Sequence, residues 1–276
     1  MKPKDTYAVV TGAGKGLGKS LSVELARRNK NLVLLAKEGE DLFGFGAFLT
    51  KKYGVKIHCV EVDFLQEESL ATVADKLKNL NVNILVNNAG IGGSMFFDQT
   101  DIQRIDSILQ VNIRMLVMLT RLLISKLKNQ TSSYILNVAS MASCCPIAYK
   151  SVYPASKAFV YSFSKSLAEE LKCFGVHVCV LLPGPIKTNS EVSHRIEKQG
   201  WWVKAGLQTP TQLAQIGIDA LFRHKSVVIP GLITKINWLL LKILPKSICI
   251  PMVSQAVKNE ISAVDSAVPL KELKFT

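Results

Sequence analysis

A chain of 276 residues, 48% hydrophobic and 20% charged, is long enough for one large α/β domain and too apolar to be disordered. Its net charge of +13 is scattered, with no dense basic block interleaved with aromatics, so nucleic acid is not an expected partner. Six cysteines without C-x-x-C spacing or companion histidines read as reduced, buried thiols, and no metal site is expected.

In chain order, short apolar runs rich in β-branched residues at 7–11, 32–36, 56–62, 84–87, 134–139, 176–182 and 227–230 predict strands. Segments of helical length and pattern lie between them, among them 19–28, 67–78, 105–126, 155–174 and 212–222. This alternation predicts one domain over 1–276: a doubly wound parallel sheet with helices on both faces. Ligands of such a sheet sit at the carboxyl ends of its strands. The weakly patterned stretch 188–209, holding His194, Trp201, Trp202 and Val203, reads either as a substrate lid or as an ordinary surface excursion. His58, His177 and His224 are dispersed, and only His194 is a candidate substrate contact.

Residues 232–276 form a C-terminal extension with an apolar helix. Its run from Ile236 to Leu244 is too short to span a bilayer and is bordered by Lys235, Lys242 and Lys246. The preferred reading packs it on the protein's own pocket or on a second subunit. The alternative lays 236–250 in a membrane interface. No apolar leader precedes the first strand, from which a cytoplasmic location is expected, with membrane association through that segment as the variant. The Asn129-Gln130-Thr131 sequon is then unused.

After the first strand comes Thr11-Gly12-Ala13-Gly14-Lys15-Gly16-Leu17-Gly18. A P-loop fails at Ala13 and the strict G-x-G-x-x-G fingerprint fails at Leu17. What remains is Gly12-x-x-x-Gly16-x-Gly18, whose glycines let the backbone approach a pyrophosphate while the following helix offers oriented N–H groups. Lys15 lies inside the turn and Lys37 closes the second strand, followed by Glu38. Two cations there favour a 2′-phosphate, hence NADPH. The other reading makes both lysines solvated surface charges.

Tyr153 and Lys157 stand four apart on an expected helix, with Ser140 thirteen residues upstream of Tyr153. An ammonium beside a phenol favours the phenolate, so Lys157 is expected to lower the Tyr153 pKa into proton-transfer range. Pro154 suits a first helical turn and places Tyr153 at its entrance.

The chain resembles the short-chain dehydrogenase/reductase family over about residues 5–230, with seven motifs in the family's order. They are the glycine turn, Asp63, Asn87-Asn88-Ala89-Gly90, Asn112, Ser140, Tyr153-x-x-x-Lys157, and Pro183-Gly184 with Thr188. The resemblance implies a Rossmann-like sheet of about seven strands. It implies Tyr153 as general acid, Lys157 on the nicotinamide ribose, Ser140 on the substrate oxygen and Asn112 holding a water. Asp63 is implied at the adenine, Asn87, Ala89 and Gly90 along the cofactor channel, and Thr188 at the carboxamide. Taken singly, Asn112 reads as a cap or bridge, and Thr188 also carries a purely structural reading.

The implied activity is reduction of a hydrophobic ketone or 3-oxo compound, acyl or steroid-like, by a homodimer or homotetramer built on helices 105–126 and 155–174. Met141, Cys144 and Cys145 would line the substrate side. A non-catalytic cofactor-binding or membrane-surface protein on the same fold is the alternative.

Overall fold

Seven runs dominated by Val, Ile and Leu pair in parallel in the computed structural model, which describes residues 5–94, 96–186 and 207–265. They are β1 Thr6–Thr11, β2 Asn31–Ala36, β3 Ile57–Glu61, β4 Asn81–Asn87, β5 Ser133–Val138, β6 Val176–Leu181 and β7 Val227–Val228. The sheet order is β3-β2-β1-β4-β5-β6-β7. The chain therefore winds outward from β1 to one edge and returns beyond β1 to build the other half. The resulting switch point lies between β1 and β4, where their carboxyl ends open a crevice.

Alternate side chains of each strand face opposite layers. Ala8, Val10, Leu32 and Leu34 point into a core shared with α1 (Gly16–Arg27), α2 (Leu42–Tyr53) and α7 (Pro210–Phe222). Tyr7, Val9, Val33 and Leu35 point into the opposite core, against α3 (Ser69–Leu77), α5 (Met115–Lys128) and α6 (Val152–Leu171). Burial on both sides explains why these strands read as continuous apolar runs.

The 37–56 interval holds α2, whose Gly44 and Gly46 weaken its helical signal. Two expectations need correction. The single helix expected over 105–126 is interrupted: α4 (Ile102–Leu109) meets α5 through a π-turn at Gln110–Arg114. The segment 102–128 is long and apolar enough to cross a bilayer, yet Leu119, Leu123 and Leu127 lie buried against the sheet. Finally, β7 is only two residues long.

Beyond β7 come α8 (Leu232–Ile243) and α9 (Lys246–Asp265). Lys246 Nζ donates to the Cys144 carbonyl at 2.9 Å and to the Leu241 carbonyl at 3.2 Å. The Ala148 amide donates to Ser254 Oγ at 2.9 Å. These bonds fix both helices against the loop between β5 and α6.

Candidate active site

The turn after β1 is shaped by backbone needs. Gly12 has φ +63, a left-handed value that disfavours any Cβ, and a side chain there would press on Ala89 Cα at 3.1 Å. A Cβ on Gly18 would overlap the Gly12 carbonyl oxygen, so the first turn of α1 can close on the loop only with glycine there. No side chain caps α1 and no acidic residue occupies its first turn. Its leading N–H groups thus suit an anion. This cradle fits a dinucleotide pyrophosphate. Leu17 contributes only backbone to it, since its side chain is buried in the core beside Leu21.

A brace not foreseen in the sequence joins this turn to β4. Thr11 Oγ1 accepts from the amides of Asn88 and Ala89, both at 2.9 Å. Asn88 Nδ2 donates to the Thr11 carbonyl at 3.0 Å and the Gly12 carbonyl at 3.3 Å. Both residues stood inside quoted motifs, but nothing in a one-dimensional pattern links positions so far apart. Asn87 behaves differently from its neighbour. Its side chain is buried within the sheet, donating to Thr120 Oγ1 at 3.0 Å and Asn137 Oδ1 at 2.8 Å. It supports the channel rather than lining it.

The cations near the adenosine end are not free. Lys15 Nζ pairs with Glu40 at 2.7 Å, and the Glu40 side chain lies over Gly14. Lys37 Nζ pairs with Asp63 at 2.8 Å. Lys37 first of all, and then the Leu65 amide, hold the Asp63 carboxyl below its ordinary range against a partial desolvation penalty. Asp63 thus holds Lys37 at the end of β2, and Glu40 is a residue the sequence analysis missed.

The reacting groups converge at the carboxyl ends of β4 and β5. Ser140 follows β5 and accepts from the Ala142 amide at 3.1 Å, which holds its hydroxyl at the start of a short 3-10 turn, Met141–Cys144. Tyr153 sits in the first turn of α6, with Pro154 next to it, as expected. The Ser140 hydroxyl stands beside the Tyr153 phenol, where it favours the ionised form. One helical turn on, Lys157 is 5% exposed, with Nζ donating to the Val138 carbonyl at 3.0 Å and lying 5.9 Å from the Tyr153 ring centroid.

The electrostatics correct the expected tuning. Burial pushes the Tyr153 phenol up, and the Ser140 hydrogen bond offsets this only in part. Lys157 is itself lowered to about 8 by burial. Burial thus keeps the phenol in its protonated form, the state from which a proton can be given.

Asn112 occupies the π-turn, a device often found at functional sites. Its Oδ1 accepts from the Ile91 amide at 2.8 Å, and its Nδ2 donates to the Ile91 carbonyl and to Ser156 Oγ, both at 2.9 Å. The bridging reading is the one these bonds express. Asn112 clamps the segment after β4 that carries Gly90 against α6, and a Cβ at Gly90 would lie 3.1 Å from Lys157 Nζ. Pro183 is buried and Gly184 half-buried just past β6, where the Pro183 carbonyl accepts from the Met141 amide at 2.9 Å. Thr188, His194, Trp201, Trp202 and Val203 lie outside the described residues. The dispersed His177 and His224 meet with ring centroids 4.9 Å apart, near the amino end of β6 and far from Tyr153 in the sheet.

Residues 6–199 match the family model for short chain dehydrogenase. The 17-beta-hydroxysteroid dehydrogenase type 3 of Homo sapiens is 35% identical over 186 residues, 66% of this chain and 59% of that protein. The very-long-chain 3-oxoacyl-CoA reductase of Bos taurus is 30% identical over 246 residues, 86% of this chain and 78% of its own length. This chain thus spans 59% of the human relative that it matches. A short-chain dehydrogenase from Sphingobium yanoikuyae in complex with NADPH superposes with a TM-score of 0.73 at 24% identity, covering 98% of both chains.

Proposed function

The chain belongs to the short-chain dehydrogenase/reductase family, and from that premise we propose that it is an NADPH-dependent reductase of hydrophobic ketones or 3-oxo compounds, acyl or steroid-like. The observation that carries this reading is the Ser140–Tyr153 hydroxyl pair, with Lys157 buried one turn behind it.

The turn at Gly12 to Gly18, the amino end of α1 and the Gly90 segment after β4 would hold the dinucleotide, with Lys15 and Lys37 on a 2′-phosphate. When bound, its nicotinamide supplies hydride to the carbonyl carbon. Ser140 holds the carbonyl oxygen by hydrogen bonding, which polarises the group and fixes its distance to Tyr153. The phenol, kept protonated by burial, gives its proton to that oxygen as negative charge develops there. Lys157, behind the tyrosine, stabilises the phenolate that is left, and Asn112 and Ser156 keep α6 in place for it.

The bovine and human relatives carry 3-oxoacyl-CoA and hydroxysteroid names, and the Sphingobium protein was seen with NADPH. These names support the substrate class and the cofactor. The dimer or tetramer reading rests on exposed apolar side chains of the α4–α6 surface, Leu109, Met118 and Phe159.

Titration calorimetry with NADPH and NADH, followed by turnover on ketone and 3-oxoacyl panels, tests the proposal. NADPH should bind at least about tenfold tighter than NADH. Tyr153→Phe should keep cofactor affinity and lose about 1,000-fold in kcat. Binding of neither nucleotide, or full activity of the variant, would refute it.

A further inference from the structure

Helix α8 is amphipathic in the wrong sense for a helix in water. Its solvent-facing residues include Leu232 (75% exposed), Ile236 (46%), Leu239 (49%), Leu240 (48%) and Ile243 (69%), while Thr234 is buried against the domain. Spacings of four, three, one and three residues place these five within an arc of about 100° on the helix. Lys235 and Lys242 are exposed along one flank of that stripe, and the Lys242 ammonium lies 5.1 Å from the Trp238 ring. Ile248 and Met252, a helical turn apart on α9, extend the exposed apolar surface at 53% and 54%. One side of the helix packs against the Met141–Cys144 turn beside Ser140, while this apolar side stays exposed.

The charge around this surface is one-sided. Between Asp219 and Glu260 the sequence holds no acidic residue, while Arg223, Lys225, Lys235, Lys242, Lys246 and Lys258 are all basic. An isologous contact between two copies would bring this one-signed surface against itself. An apolar stripe edged by lysines instead matches a bilayer interface, where side chains enter the acyl boundary and ammonium groups remain among anionic headgroups.

We propose that α8 and the first turns of α9 form a docking face for an anionic lipid surface, with the enzyme lying on the bilayer rather than crossing it. The attachment is rigid. Lys246 and Ser254 bond to the loop that follows Ser140, and Cys145 of that loop and Cys249 of α9 are both buried. The docked face therefore holds the substrate side of the site close to the membrane, where ketones and acyl chains of low water solubility concentrate. Docking itself does not depend on the catalytic reading.

Co-sedimentation of the full chain with phosphatidylcholine vesicles, with and without phosphatidylglycerol, tests this. Binding should require phosphatidylglycerol and weaken as salt is raised. Leu239→Glu with Ile243→Glu should lose at least about tenfold in binding, and Lys235→Glu with Lys242→Glu should abolish the preference for anionic lipid. All four positions are exposed, so both variants should keep the wild-type circular dichroism spectrum and melting temperature. No binding by the wild type, or undiminished binding by both variants, overturns the proposal. So does a wild-type oligomer that falls apart with Leu239→Glu and Ile243→Glu, which would make the face a contact between copies.

Discussion

The turn after β1 bonds to the segment after β4 and helix α8 packs on the turn after β5, and the two are built on opposite principles. Around the turn the framework is fixed by hydrogen bonds: Thr11, Asn88 and the backbone of Gly12 interlock, and α1 closes to contact distance. Along α8 the side chains that would ordinarily make a core are turned outward. A site for a small charged ligand needs fixed donors, and rigidity provides them. A face meant for a fluid surface needs only apolar area and the right sign of charge.

Core truncation is the sharpest way to separate the two. Leu123→Ala, in the buried stripe of α5, should cost about 2–5 kcal/mol, whereas Leu239→Ala should change stability by no more than about 0.5 kcal/mol. Chemical denaturation of the two variants reads the contrast, and equal losses would mean that α8 is covered in solution. Next comes the brace. Asn88→Ala leaves two carbonyls without their donor and should cost about 1–3 kcal/mol, with a matching loss of dinucleotide affinity but no change in vesicle binding.

Titration of Lys157 gives a third contrast. With a pKa of about 8, its ammonium is present below that pH and lost above it. In ketone reduction kcat/KM should be level below pH 8 and fall toward tenfold per unit above it. The sign for stability is opposite. An unfolded lysine keeps its proton up to pH about 10.4, so between 8 and that value the unfolded chain holds the extra proton and this residue's contribution to stability rises with pH. The smallest effect should come from Glu40→Gln. Losing the partner of the exposed Lys15, a pair worth about 0.2–1 kcal/mol, frees that lysine, and calorimetry should show a modest gain in NADPH affinity, larger than the gain for NADH.

The strand positions, the glycine turn and the Ser140, Tyr153 and Lys157 group were legible because each is set by local requirements: two-sided burial, a left-handed φ, and a spacing of one helical turn. What escaped was set by distance. The partners of Lys15 and Lys37 are Glu40 and Asp63, and a scan for cations reads the charge of a lysine without seeing what neutralises it. The helix through Asn112 was expected as unbroken because a π-turn preserves helical composition. The direction of the Tyr153 shift went astray for a similar reason. Spacing brings Lys157 near, but burial acts on both groups and outweighs their proximity.

The π-turn at Gln110–Arg114 also acts as a gear. Each residue of an α-helix advances the face by about 100°, so the wider turn sets the rotational phase of α5 relative to α4. With that phase Leu119, Leu123 and Leu127 meet the sheet while Asn112 meets Ser156. Removing one residue from the turn would restore regular winding and swing the leucine stripe away from β4. One local irregularity therefore keeps the core and the catalytic helix in step, and a length change there would disturb both at once.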